Sequence, residues 1–266
     1  MEHAQMIRMI KHNPYVLISI DHPTDEMKLT AVKTNGLLIE YIDNPTRELQ
    51  ELALDSNPRA IRFIPDPTPE MMIKAIQGGW NNLEYIKNPT DQVIRAAINQ
   101  AGWAIKYVKQ PSEELQLLAV AKDYDAIRFI KDPCESVQIA AIRKNYNAIR
   151  YMSSPSIEAQ LMAIRENEEA IKFIPDLNKN KILDFLKVNI LVIKYMKKEI
   201  LPEELEAVLK EVLSKDDVEE KYVRDYLNYN LMEHGETSQM DKLMLINRYG
   251  SRKARKIAVD EKLTLL

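Results

Sequence analysis

Cysteine, glycine and long apolar runs are what this chain has least of. The single cysteine, Cys134, excludes an intramolecular disulfide framework and any multi-cysteine metal site, and it fits a reducing compartment, with the cytoplasm as the default. Six glycines, aromatics that are mostly Tyr, and abundant Ala, Ile, Leu, Lys and Glu make a composition of helices more than of sheets. No run of roughly 18 apolar residues occurs, and Met1 to Ile10 lack an apolar signal region, so neither a membrane span nor an obvious secretion signal is expected. The most apolar segment, Ile182 to Met196, is interrupted by Asp184, Lys187, Asn189 and Lys194, which reads as two amphipathic helical pieces.

Charge of one sign is also lacking. A formal net charge of -3 and a pI near 5.9 exclude a polyanion binder driven by bulk charge, so any nucleic-acid site has to be local. Catalytic motifs are missing as well. His3, His12, His22 and His234 stand at no metal-ligand spacing, and no phosphate-binding glycine loop or nucleophile elbow occurs. The expectation is a protein without enzymatic activity and without a cofactor or metal.

What is present is a repeat. Pro-Thr and its relatives recur every 22 residues, at Pro23-Thr24, Pro45-Thr46, Pro67-Thr68, Pro89-Thr90, Pro111-Ser112, Pro133-Cys134 and Pro155-Ser156. Cutting after each pair gives eight regular segments from 3 to 178 and a degraded ninth from 179 to 200. The last residue of a segment is Thr, Ser, Cys or Asn, the set that caps a helix N-terminus. Pro69 at a first helical position, with Glu26, Glu48, Glu70 and Glu114 in first turns, fits the same reading.

Segment position 7 is Ala in Ala31, Ala53, Ala75, Ala97, Ala119, Ala141 and Ala163, small enough for helices to approach closely. Position 11 is mostly Asn or Gly, residues that tolerate a left-handed helix end, so a turn is predicted there. A second helix of about eight residues follows, with Ile or Leu at position 15 and an aromatic at position 17, as in Ile127 and Phe129. The proline at position 21 stops it and biases the preceding residue toward extended geometry. Such short helices are stable only when stacked on neighbours.

The run A-[IVL]-x-x-N followed by [AV]-I-[RK]-[FY]-[IM]-x-[DN]-P-T resembles the short helix-pair repeats of HEAT-like α-solenoids, including repeat families of unknown function in phage and protist proteins. The likeness covers about residues 3 to 200 and implies an all-α solenoid with a binding role; it carries no catalytic residue across. The expected organisation is nine 22-residue helix-turn-helix repeats over 3–200, then a helical C-terminal cap or tail over 201–266. In the latter, Pro202 to Lys215, Asp217 to Glu233 and Gln239 to about Tyr249 read as helices, with a linker at Gly235 to Ser238.

Three groups of residues are candidate partner contacts. Position 16 forms a basic ladder, Arg62, Lys106, Arg128, Arg150, Lys172 and Lys194, interrupted by Glu40 and Glu84; it suits an acidic protein surface or a phosphate backbone. The competing reading pairs these cations with Asp66, Asp132 and Asp176, four residues on, as solvated helix pairs. Large aromatics in the inter-helix turn, Tyr15, Trp80, Trp103, Tyr124 and Tyr146, are either binding anchors or covers for the adjacent repeat. Arg248, Arg252, Lys253, Arg255 and Lys256 form a local cluster for nucleic acid or an acidic partner, unless the nine carboxylates between Glu199 and Glu220 neutralise it. Cys134 reads as a tolerated cap substitute. A protein-binding scaffold, adaptor or inhibitor is the leading expectation, with a nucleic-acid-associated solenoid as the alternative. The undisturbed register and the Lys-, Ile-, Asn- and Tyr-rich usage suggest a phage or mobile-element protein acting on a host factor.

Overall fold

The computed structural model describes residues 3–196, 199–229 and 239–264. The expected linker from Gly235 to Ser238, the end of the expected helix at Glu233, and His234 lie outside the described residues. Every element among the described residues is helical. Two compact units, Met1–Pro133 and Cys134–Leu266, each stack helix pairs in the manner of an all-α solenoid.

The first unit holds the α-helices His3–His12, Asp25–Thr34, Arg47–Ser56, Pro69–Gln77, Asp91–Gln100 and Glu113–Lys122. Each is followed by a six-residue 3-10 helix, such as Pro58–Phe63, Gly102–Tyr107 and Tyr124–Phe129. The second unit continues with Glu135–Lys144, Ile157–Glu166 and Lys179–Val188 and their 3-10 partners Tyr146–Tyr151, Glu168–Phe173 and Ile190–Val192. In the first eight pairs the second helix is therefore tighter and shorter than the eight residues expected from sequence, and in the ninth the 3-10 turn runs on as a short α-helix, Ile193–Met196, that carries Lys194.

The caps explain the register. Thr24, Thr46, Thr68, Thr90, Ser112, Ser156 and Asn178 each accept from the backbone N–H three residues on, at 3.0–3.4 Å, which satisfies one orphan donor per helix. Cys134 holds the same extended geometry without a side-chain cap bond, because sulfur is a weak acceptor; its Sγ lies 3.1 Å from Ser136 Oγ instead.

Two turn expectations are corrected. The position-11 asparagines are not left-handed: Asn35, Asn57, Asn145, Asn167 and Asn189 are extended, with φ between -145 and -162. Each accepts from the N–H two residues on, as in Asn57 Oδ1 to the Arg59 N–H at 3.0 Å. They close one helix and cap the next in a single residue, the Asx turn. The left-handed residues lie at position 20: Asn44, Asp132 and Asp176, with φ of 47, 49 and 52. Asn44 and Asp132 precede proline and so depart from the extended geometry expected there. Short polar side chains tolerate this conformation. Gly79, with φ of 153, stands where six of the other repeats have Asn, and Asn82 Nδ2 donates to the Ala75 carbonyl at 2.8 Å beside it.

The core repeats with the sequence. All seven position-7 alanines have no exposed surface, and the position-15 residues from Leu17 to Ile193 are at most 3% exposed. At Gly102, an added Cβ would stand 2.3 Å from the Ala119 carbonyl oxygen, so this glycine lets a 3-10 helix touch the next repeat's first helix. A further device recurs at position 4. Gln50, Gln116 and Gln160 donate from Nε2 to the carbonyls of Pro45, Pro111 and Pro155 at 2.8–3.1 Å, and Gln138 Oε1 accepts from the Ser156 N–H at 2.8 Å. The first three amides tie a proline turn to the helix it starts, and Gln138 ties the following turn back to its own helix.

The C-terminal helices of the second unit are Pro202–Leu213, Glu220–Asn228, Gln239–Tyr249 and Arg252–Thr264. The second is shorter than the Asp217 to Glu233 reading, and the last was not read from sequence at all. Pro202–Leu213 packs on Lys179–Val188, and the buried Tyr222 hydroxyl donates to the Leu186 carbonyl at 2.9 Å. The Ser251 N–H donates to the Leu213 carbonyl at 2.7 Å. Lys242, 5% exposed, donates to the Leu227 carbonyl at 3.1 Å and to that of Tyr229, where a cation meets the negative end of Glu220–Asn228.

Candidate binding surface

The geometry of a 3-10 helix decides which side chains share a face. With three residues per turn, positions i and i+3 eclipse. Positions 15 and 18 therefore point inward together, as Ile61 and Ile64 or Ile127 and Ile130 do. Positions 13, 16 and 19 form the outward row. Every ladder residue, Arg62, Lys106, Arg128, Arg150, Lys172 and Lys194, is exposed, and Lys87, Lys109 and Lys131 at position 19 are exposed beside them.

The cations lie on rings. In the first unit the Arg62 guanidinium is 4.4 Å from the Phe63 ring centroid. Lys106 Nζ is 5.3 Å from the Trp80 ring and 4.6 Å from that of Tyr107. Arg128 lies 5.7 Å from Trp103 and 6.0 Å from Phe129. The rings also meet one another: Trp80 and Tyr107 are 6.2 Å apart, and Trp103 and Phe129 meet edge to face at 6.0 Å. In the second unit the cation reaches forward one repeat, Arg150 to Phe173 at 4.7 Å and Lys172 to Tyr195 at 4.9 Å, and in the ninth repeat Lys194 lies 5.7 Å from Tyr229 at the end of the C-terminal helix Glu220–Asn228. Ladder and aromatics form one surface in each unit.

The expected partners of the ladder are corrected. Asp66, Asp132 and Asp176 make no ion pair among the described residues, because the chain has left the 3-10 helix before reaching them. The carboxylates that do meet it are Asp125, three residues before Arg128 at 3.4 Å, and Glu169, three before Lys172 at 3.0 Å. These are the eclipsed neighbours of a 3-10 helix. Lys194 instead crosses to Glu168 of the preceding repeat at 2.8 Å. Hydrogen bonds to these carboxylates hold the Lys172 and Lys194 ammonium groups above the ordinary lysine value, so both stay charged.

Of the turn aromatics, Tyr15 and Trp103 are exposed, at 56% and 38%, whereas Trp80, Tyr124 and Tyr146 are half-buried. Trp103 Nε1 donates to Asp125 of the following repeat at 2.8 Å, and the Tyr107 hydroxyl donates to Glu84 at 3.3 Å. The position-17 rings are functional candidates absent from the sequence-derived site; the signal that marks them is the recurrence of an aromatic directly after the position-16 cation, as in Arg62-Phe63, Lys106-Tyr107 and Arg128-Phe129.

The C-terminal basic cluster packs beside the acidic stretch expected to neutralise it, with Lys210 Nζ 4.4 Å from the Tyr249 ring, but forms no ion pair with it among the described residues. Glu204, Glu206, Glu211, Glu219 and Glu220 pair with Lys179, Lys210, Lys187, Arg165 and Arg224 respectively. Among the described residues, Arg248, Arg252, Lys253, Arg255 and Lys256 form no ion pair and are exposed. The Arg248 guanidinium lies 5.2 Å from the Tyr249 ring, and Arg255 Nε donates to the Gly250 carbonyl at 2.9 Å.

No group of three or more His, Cys, Asp or Glu side chains is placed to hold a metal ion among the described residues, and no helix there is long and apolar enough to cross a membrane. No family model matches the chain, and neither a curated protein nor a solved structure matches it.

Proposed function

We propose that the chain is a non-enzymatic binding scaffold of the HEAT-like kind, an adaptor or inhibitor, whose outward 3-10 row takes an acidic segment of another protein. The observation that carries this reading is the recurrence, in both units, of an exposed position-16 cation resting on an aromatic ring. A stacked cation is held in place before binding, so less side-chain entropy is lost when a carboxylate arrives. Rings beside the cations add apolar contact of the kind that anchors interfaces.

From the fourth repeat on, the carboxylates within the row are already engaged: Asp125 by Trp103 and Arg128, Glu84 by Tyr107, Glu169 by Lys172, whereas Asp21, Glu40 and Asp43 keep the first two repeats acidic. Lys87, Lys106, Lys109 and Lys131 form no ion pair among the described residues. The surplus of cations supports an anionic partner, and a host factor presenting an acidic surface is of that class. The test is affinity capture with the tagged full chain from its native lysate, with nuclease treatment and a salt series. One stoichiometric protein that survives nuclease and is released as salt rises supports the reading. Recovery of nucleic acid, with a steep salt dependence, overturns it in favour of phosphate-backbone binding.

A further inference from the structure

We propose that the groove between Gln239–Tyr249 and Arg252–Thr264 is a second docking site, for an amphipathic helix of a partner protein that carries acidic residues beside its apolar face. The two helices are joined at Gly250 and Ser251. The inner face of the last helix, Ala254, Ile257 and Ala258, is buried, and Glu261 on it is held by Arg224 and by Asn228, the latter at 2.7 Å. That face is fully used in the fold.

The outer face is not. Val259 and Leu263, one helical turn apart, are 58% and 65% exposed. They wall a groove whose floor is Ile246 and Ala258 and whose other side is Leu243. Single exposed apolar residues are ordinary; here two lie one turn apart along the edge of a groove with an apolar floor. A groove between two packed helices takes a third helix, because ridges and grooves repeat at the 8 to 10 Å spacing of helix packing.

The charge around the groove selects the partner. Arg255 and Lys262 line it, and Arg252 and Lys256 share the helical stripe of Val259 and Leu263, at spacings of three and four. None of these four forms an ion pair among the described residues. A docking helix with apolar residues at i, i+3 or i+4 and i+7 would fill the groove, and carboxylates on its flank would meet the cations. A basic helix would be repelled. This site is independent of the 3-10 row; occupied together, the two would make the chain an adaptor with two partners.

The probe is a displayed library of helical peptides about 16 residues long, roughly 24 Å, selected on the immobilised full chain. The expected result is enrichment of sequences with an i, i+3/i+4, i+7 apolar stripe flanked by Asp or Glu. A synthetic representative should lose at least tenfold in affinity against Val259→Asp and against Leu263→Asp, two separate variants at exposed positions, so that misfolding of one does not remove the test. Arg252→Glu with Lys256→Glu should weaken binding and flatten its salt dependence. The variant Arg62→Glu/Lys106→Glu/Arg128→Glu should bind the peptide unchanged, which separates this site from the row. No enrichment, enrichment of basic or neutral helices, or undiminished binding to both Asp variants overturns the proposal. So does a concentration-dependent dimer that Leu263→Asp disperses, or displacement of the peptide by an oligonucleotide.

Discussion

Lys172 Nζ lies 4.9 Å from the ring centroid of Tyr195 in the following repeat, and Arg150 stands 4.7 Å from the ring of Phe173 in the same way. Each contact joins two repeats on their outer surface, where the buried alanine and isoleucine positions do not reach. A cation over a ring at such an exposed site contributes about 0.5–1 kcal/mol. A double-mutant cycle on Arg150→Met and Phe173→Leu, followed by chemical denaturation, should return a coupling in that range. Coupling indistinguishable from zero would mean that the stacking is incidental.

Cys134 is the one cap in the series whose side chain makes no cap bond. Cys134→Thr should raise stability by roughly 0.5–1 kcal/mol, read as a higher denaturation midpoint. Thr90→Ala, which removes a working cap, should lower it by about 1 kcal/mol. Equal midpoints for Cys134→Thr and the parent would show that sulfur serves as well as oxygen there.

Glu168 gives a pH signature. Burial raises its pKa, but the hydrogen bond and charge of Lys194, with the backbone, outweigh that and leave it below the usual 4.5. A carboxylate depressed in the folded state stabilises above its unfolded value and loses that contribution as pH falls through the folded one. Glu168→Gln should therefore cost up to about 1 kcal/mol at neutral pH. The difference from the parent should shrink as pH falls from the usual carboxylate range through the lower folded-state value, and vanish once the carboxyl is protonated in the folded state. A difference that persists in acid would assign the effect to packing rather than to charge.

The periodic features were readable in advance because they are imposed by the backbone. A cap must accept from an orphan N–H, so Thr24 through Ser156 announced the helix starts; Ala97 and Ile105 must fit between layers, so their size recurred. The tightness of the second helix was not readable, since six residues such as Tyr124 to Phe129 satisfy both an α and a 3-10 pattern. That ambiguity carried over into the site. A spacing of four would have paired Arg128 with Asp132, whereas a spacing of three pairs it with Asp125. Asn57 was misread for a related reason: the same residue type serves a left-handed helix end and an extended Asx cap. The helix Arg252–Thr264 was hidden behind its charge, because Arg252 to Lys256 reads as a basic tract before it reads as a helix.

Lys242 supplies an alkaline counterpart. Burial holds its ammonium group below the ordinary 10.5, so the unfolded chain binds the proton more tightly than the folded one. Stability should then rise with pH in the window below 10.5, as the folded-state lysine gives up its proton. Lys242→Met removes that slope. Comparing the two proteins over an alkaline series isolates the residue from the Tyr222 phenol, which burial shifts upward. Parallel pH profiles would contradict the assignment.

The most direct measurement of the central claim is quantitative capture by the parent chain and by two row variants, Arg62→Glu/Lys106→Glu/Arg128→Glu and Arg150→Glu/Lys172→Glu, all nuclease-treated and matched for thermal stability. If the cation–aromatic row is the binding surface, the stoichiometric protein recovered with the parent falls at least tenfold with one or both variants. Recovery that is unchanged with both variants would contradict the account and move the binding surface off the row.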